Sequence, residues 1–117
     1  VSEFSAKTGV EIKLETAGEA DLRATTANIA VHRIIQEAIT NAVRHGKASE
    51  ISVKIDYSKE SIRFSTTDNG IGSENMKEGY GLKGIRERVE AFGGNVEMGS
   101  SDGFYIKGIL YLEGKND

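Results

Sequence analysis

A long amphipathic helix between alternating segments is the feature that most constrains this fold. From Ala27 to His45 the apolar residues recur every three or four positions. At about 100° per residue they fall on one side of a helix. That face consists of Val31, Ile35, Ala38, Ile39 and Ala42. VEIKLE precedes the helix, and ISVKIDY and SIRFST follow it. Their alternation predicts strands with one face buried.

The rest of the chain predicts one more helix and two more strands. Leu82 to Phe92 predicts a second helix that Gly93-Gly94 ends, and NVEMGS and FYIKGILYL predict two last strands. The order predicts an α+β fold, a two-layer α/β sandwich in which a mixed sheet carries its helices on one face. At 117 residues, we expect a single domain over 1–117, with 1–9 and 114–117 at its periphery.

Composition excludes several classes of protein. The chain has no cysteine, which excludes disulfides, thiolate metal sites and thiol catalysis. A net charge of -3 argues against a nucleic-acid partner. No apolar run approaches the roughly 20 residues that cross a bilayer, so we expect no membrane contact by this domain. The chain starts without Met, and we expect it to be a fragment of a longer protein.

A row of polar side chains lies beside the apolar face of the long helix. Glu37, Asn41, Arg44 and His45 fall within an arc of roughly 100°. An amide oxygen together with phosphate oxygens and water suits Mg²⁺, and Arg44 and His45 could neutralise phosphate. A solvated helix face is the commoner explanation of such a row. Asn41 favours binding, because Asn is a weak helix former that needs a reason to stand there.

A first glycine stretch, TTDNGIG, ends the third strand. A hairpin turn is disfavoured, because the polar segment that follows does not alternate as a second strand would. A bland loop remains the alternative. In a pocket, Asp68 could accept a hydrogen bond from an adenine amino group. Gly70 and Gly72 would let a flat ring approach closely.

A second glycine stretch, GYGLKG, leads into the second helix. Gly79, Gly81 and Gly84 fit G-x-G-x-x-G, yet no strand precedes them, so the pattern is not a dinucleotide fingerprint. It also lacks the Lys-Ser/Thr ending of a P-loop. A helix N-terminus here could receive phosphate. The two stretches and the polar row together indicate a nucleotide site.

Three blocks resemble the Bergerat ATP-binding fold of histidine kinases, gyrase, a heat-shock chaperone and mismatch-repair ATPases. QEAITNAVRH resembles the N box and DNGIG the D-x-G-x-G box. GYGLKGIRERVEAFGG resembles the second glycine box of sensor histidine kinases that pair with NarL-type response regulators. The resemblance covers Val10 to Leu112.

The resemblance implies an enzyme, the catalytic domain of an ATP-dependent protein histidine kinase in two-component signalling. It would bind ATP and Mg²⁺ and donate the γ-phosphate to a histidine on a separate dimerisation domain, with a response regulator as indirect partner. Asn41 would hold Mg²⁺ and Asp68 the adenine. Glu37 would act as general base, in competition with an acid outside this chain. The other ATP-binding residues implied are Arg44, His45, Gly70, Gly72, Gly79, Gly81, Leu82 and Gly84. The domain would be cytoplasmic in a membrane-bound parent protein.

Two departures from the family pattern leave alternatives open. The last strand opens with Gly103-Phe104, where the family often has Gly-Thr, which puts the water-mediated support of Asp68 by that Thr in doubt. The lid, Ser73 to Glu78, is short. The alternatives are a stand-alone kinase of the same fold, of the anti-sigma-factor type, and an interaction module that has lost ATP. We expect a monomer, since dimerisation would come from the missing domain.

Overall fold

The computed structural model describes residues 10–19, 24–44, 47–70, 81–100 and 103–112. Strands and helices follow one another in the predicted order, which confirms the α+β sandwich. They are β1 (Glu11–Ala17), α1 (Thr25–Arg44), β2 (Glu50–Tyr57), β3 (Ser61–Asp68), α2 (Leu82–Glu90), β4 (Asn95–Ser100) and β5 (Phe104–Tyr111). No helix in the described part of the chain has the length and apolarity to cross a membrane.

The sheet is mixed and places β3 at its centre. Its strand order is β1-β2-β3-β5-β4. The pairing of β1 with β2 is parallel, and α1 provides the crossover that a parallel pair needs. The remaining pairs, β2–β3, β3–β5 and β4–β5, are antiparallel. Asp68 is the last residue of β3 and lies opposite Ile51 of β2.

Alternation along β3 fixes the direction of its last side chain. Ile62, Phe64 and Thr66 are buried beneath the helices, while Arg63 on the other face is exposed. Because side chains alternate along a strand, Asp68 lies on the same face as these buried residues. The central strand therefore delivers a carboxylate to the helix layer.

The buried arc of α1 differs slightly from the predicted face. Ile34 is fully buried, whereas Ile39 is only half-buried. Val31, Ala38 and Asn41 are buried with Ile34. The helix is thus rotated so that Asn41 lies inside the core layer, where the sequence had placed it at the edge.

The opposite face of the sheet is open and carries polar side chains. Lys54 and Glu15 lie 3.8 Å apart across β2 and β1, both largely exposed. The Tyr105 hydroxyl donates to Glu97 Oε2 at 2.9 Å. This hydrogen bond to the carboxylate raises the pKa of Tyr105. The exposed polar side chains on this face agree with the prediction that the helices cover only the other face of the sheet.

Candidate functional site

Asp68 is a half-buried acceptor whose orientation is fixed by the main chain. Its Oδ1 accepts hydrogen bonds from the Gly70 N–H at 2.7 Å and the Phe104 N–H at 3.3 Å. Within the described residues both bonds fall on Oδ1. A carboxylate has two oxygens that accept, so Oδ2 is left for a further donor.

Gly103 brings the start of β5 against Asp68. Its φ is +130°, and a Cβ there would clash with the Asp68 main-chain carbonyl. Only glycine fits such a backbone without strain. This close approach places the Phe104 N–H within reach of the carboxylate, while the Phe104 side chain is buried in the core. The main chain at Phe104 therefore supports Asp68, at the position where the family pattern often has a Thr.

Asn41 is a buried amide with an unpaired donor. The residue is 2% exposed, and its Nδ2 has no hydrogen-bond partner among the described residues. A buried unpaired polar group costs about 1–3 kcal/mol. Turning the amide by 180° presents its oxygen instead, an atom type that Mg²⁺ prefers. The described residues contain no cluster of three or more His, Cys, Asp or Glu that could hold a metal. In the turned orientation the Asn41 oxygen could serve as one ligand of such an ion.

Glu37 lies one helical turn before Asn41 and packs against the entrance to α2. It is half-buried. Gly81 precedes α2 with φ +91°, and a Cβ on it would clash with the Glu37 carboxylate. Gly81 also provides no side-chain cap for α2. The first N–H groups of α2 are the kind of donors that bind anions.

Leu82 and Gly84 begin α2 but differ in their surroundings. Leu82 is 3% exposed and belongs to the core, so only its main chain could reach a ligand. A Cβ on Gly84 would have Arg88 Nη1 at 3.8 Å, an ordinary contact. The protein itself therefore does not require glycine at this position.

The structure brings together part of the predicted set. Glu37 contacts Gly81, and Asp68 binds the Gly70 N–H. Arg44 is exposed at the last position of α1. His45, Gly72 and Gly79 lie outside the described residues. The roles of all these residues remain predictions.

Asn69, directly after Asp68, makes side-chain hydrogen bonds that the sequence analysis did not foresee. Its Oδ1 accepts from the Ser49 N–H at 2.9 Å and the Glu50 N–H at 3.0 Å, and its Nδ2 donates to Ser49 Oγ at 3.0 Å. The signal was an Asn between Asp and Gly, a residue whose side chain commonly binds main-chain groups. Its partners lie far away in the sequence, so the pattern could not name them.

The family of the chain is shown by its match to a family model. Residues 26–113 match the family described as histidine kinase-, DNA gyrase B-, and HSP90-like ATPase, and the chain belongs to this family. More particularly, it is a catalytic ATP-binding domain of the sensor histidine kinase type, which confirms the resemblance found in the sequence.

Relatives and solved structures support this assignment. The chain is 34% identical over 105 residues to the sensor histidine kinase MctS of Rhizobium johnstonii, covering 85% of this chain and 23% of MctS. It is 32% identical over 101 residues to the nitrate/nitrite sensor protein NarX of Escherichia coli, covering 82% of this chain and 17% of NarX. It therefore spans about a quarter or less of these relatives' length.

The likeness to solved structures concerns the fold. The catalytic domain of the histidine kinase ThkA has a TM-score of 0.68 at 17% identity, with 95% of this chain and 86% of that chain covered. The ATP-binding domain of PrrB from Mycobacterium tuberculosis has a TM-score of 0.62 at 21% identity, with 94% and 85% covered. Both agree with the two-layer sandwich described above.

Proposed function

We propose that this domain binds ATP with Mg²⁺ and donates the γ-phosphate to a histidine on a separate dimerisation domain of its parent sensor kinase. The observation that carries the proposal is the Asp68 carboxylate. One oxygen is held by two main-chain N–H groups, and the other has no hydrogen bond among the described residues. Membership of the ATPase family supports it.

Asp68 would recognise the base. Its Oδ2 would accept a hydrogen bond from the adenine amino group, a donor that guanine lacks at that position. Gly70 lies directly beside this carboxylate and has no side chain to obstruct a flat ring. Gly72 would widen the same pocket. The carboxylate therefore supplies the choice of adenine, and the glycines supply the space.

Asn41 would hold Mg²⁺ through its amide oxygen, which fits its burial and its unpaired Nδ2. Mg²⁺, when bound, neutralises phosphate charge and orients the phosphates for transfer. Arg44 and His45 follow Asn41 on the chain and would add positive charge near the phosphates. They complete the phosphate side along α1.

The N-terminal end of α2 would close the phosphate side from the other direction. Gly79, Gly81, Leu82 and Gly84 would offer main-chain N–H groups to phosphate oxygens. A Cβ on Gly81 would meet the Glu37 carboxylate as it now lies, so the absence of a side chain lets the two approach. The glycine stretch thus keeps the helix end against α1.

Glu37 would act toward the acceptor histidine. As the imidazole nitrogen of that histidine bonds to the γ-phosphorus of ATP, the bond from this phosphorus to the bridging oxygen breaks and ADP leaves. The imidazole then loses a proton. Glu37 would take that proton or orient the ring, and an acid outside this chain competes for the same role. Most of the rate would come from positioning and charge neutralisation, as in other phosphoryl transfers.

The remaining partners follow from the parent protein. We infer a response regulator as the indirect recipient of the phosphate and a cytoplasmic location for this domain. The relatives are named sensor histidine kinases, which favours this over a stand-alone kinase. The Asp68 carboxylate held by the Phe104 N–H favours ATP binding over a module that has lost ATP.

Titration with a fluorescent ATP analogue, with and without Mg²⁺, tests the proposal. We expect saturable binding that unlabelled ATP competes away and that weakens when Mg²⁺ is chelated. Without a histidine-bearing domain the chain should bind ATP but transfer hardly any phosphate. Absence of competable binding at millimolar ATP would overturn the proposal.

A further inference from the structure

We propose that Asn69 is a positioning residue for adenine selection. Its side chain holds the end of β3 in place, and with it the Asp68 carboxylate. The inference rests on the proposed function, because it concerns how Asp68 is aimed. It adds a residue that was not among the predicted site residues, although it stands between two of them, Asp68 and Gly70.

The side chain of Asn69 joins two ends of the sheet. Its Oδ1 accepts both the Ser49 and the Glu50 N–H, and its Nδ2 donates to Ser49 Oγ. Its main-chain N–H also donates to the Glu50 carbonyl at 3.2 Å. Asn69 thus accepts the main-chain N–H groups at the start of β2 and fixes the main chain directly after Asp68.

The segment that Asn69 holds is itself anchored to α1. The Ala48 N–H donates to the Ala42 carbonyl at 2.9 Å, and Lys47 has a left-handed φ of 55° that turns the chain there. Ala42 is the neighbour of Asn41. Asn69 therefore sets the end of β3 against the last turn of the helix that carries the phosphate-side residues.

Packing does not explain this residue. Asn69 is exposed, so its contribution comes from hydrogen bonds and not from burial. It lies between Asp68 and Gly70, the acceptor and donor of the 2.7 Å bond. If the chain at Asn69 moves, both groups move, and Oδ2 of Asp68 no longer points where the base amino group lies.

The ratio of ATP to inosine triphosphate affinity tests this aim directly. Inosine carries an oxygen in place of the adenine amino group, so the ratio reports the Asp68 hydrogen bond. We expect the unaltered domain to prefer ATP about tenfold, the worth of one charged hydrogen bond. Asn69→Ala should reduce the preference to about twofold or less.

Two further variants separate positioning from general stability. Asn69→Asp keeps an oxygen that accepts both N–H groups and should restore the preference. Ser49→Ala removes only the Oγ acceptor and should keep it. Calorimetry on samples shown to be folded by circular dichroism gives both affinities. Amide hydrogen exchange at Ser49 and Glu50 should quicken in Asn69→Ala but not in Asn69→Asp.

The possible outcomes distinguish the proposed role of Asp68 from that of Asn69. If the unaltered domain binds both nucleotides equally, the role of Asp68 fails and this inference fails with it. If it prefers ATP and folded Asn69→Ala keeps that preference, only the inference on Asn69 is overturned. Equal weakening of both nucleotides would likewise show a structural role alone. Should Asn69→Ala not fold, Asn69→Ser takes its place, because its shorter side chain cannot span both N–H groups.

Discussion

Asp68→Asn separates adenine recognition from stability. The change replaces Oδ2 by an NH₂ group and keeps Oδ1, which still accepts from the Gly70 and Phe104 N–H groups. These two bonds lose their charge, so the free energy of unfolding should fall by about 1 kcal/mol, roughly 4 °C in Tm. The new NH₂ group would meet the adenine amino group donor to donor. The lost charged hydrogen bond is worth about 1.5–3 kcal/mol, or roughly 10- to 100-fold in affinity.

Asp56→Asn provides the matched control for this prediction. Asp56 is exposed on β2, and the same chemical change there should leave ATP affinity unaltered. Isothermal titration calorimetry measures both variants against ATP, and thermal melts measure their stability. An unchanged affinity in Asp68→Asn would refute the adenine assignment. So would an equal loss in the control, because the effect would then follow net charge.

Three further substitutions test the close approaches and the buried amide. Gly81→Ala puts a Cβ at positive φ, which should lower the free energy of unfolding in urea by about 1–2 kcal/mol, and turns the Glu37 carboxylate aside, with weaker ATP binding. Gly84→Ala is its control and should stabilise by up to about 1 kcal/mol; equal losses would contradict the close approach. Gly103→Ala should destabilise more, because its Cβ meets the Asp68 main-chain carbonyl instead of the end of a flexible side chain, and should weaken ATP affinity; unaltered calorimetry would speak against its role. Asn41→Leu should raise stability by about 1 kcal/mol while abolishing Mg²⁺-dependent affinity, and a lower Tm would show that the amide is paired.

Periodicity predicted the elements because most of them have one buried face, although β1 buries only Ile12 and β4 has no fully buried residue. The alternation of β2 and the spacing of α1 fixed their types, and the ends agree within a few residues. Which residues lie deepest was less accessible. Ile34 is buried more fully than Ile39 because the strands beneath α1 decide its rotation, and a helical pattern gives that rotation only within about one residue.

The contacts that build the site could not be read from the sequence. Gly81 against Glu37 and Gly103 against Asp68 join residues that are neighbours only because of the sheet order. The Phe104 N–H supports Asp68, and almost any residue type would offer that N–H. The identity of the side chain therefore carried no information about it. The motifs predicted which side chains form the candidate site, whereas the contacts between them depend on the folded topology.

The parallel pairing of β1 with β2 has a consequence for the order of folding. The short link between β2 and β3 lets these strands pair early, since closing a small loop costs little entropy. β1 can pair only after the chain has passed through the whole of α1. The start of β5 pairs with β3 across a similar distance in sequence, since Thr67 lies opposite Tyr105. We therefore expect the β2–β3 hairpin to form first in a refolding chain, and β1 and β5 to join it later at a similar cost in loop entropy.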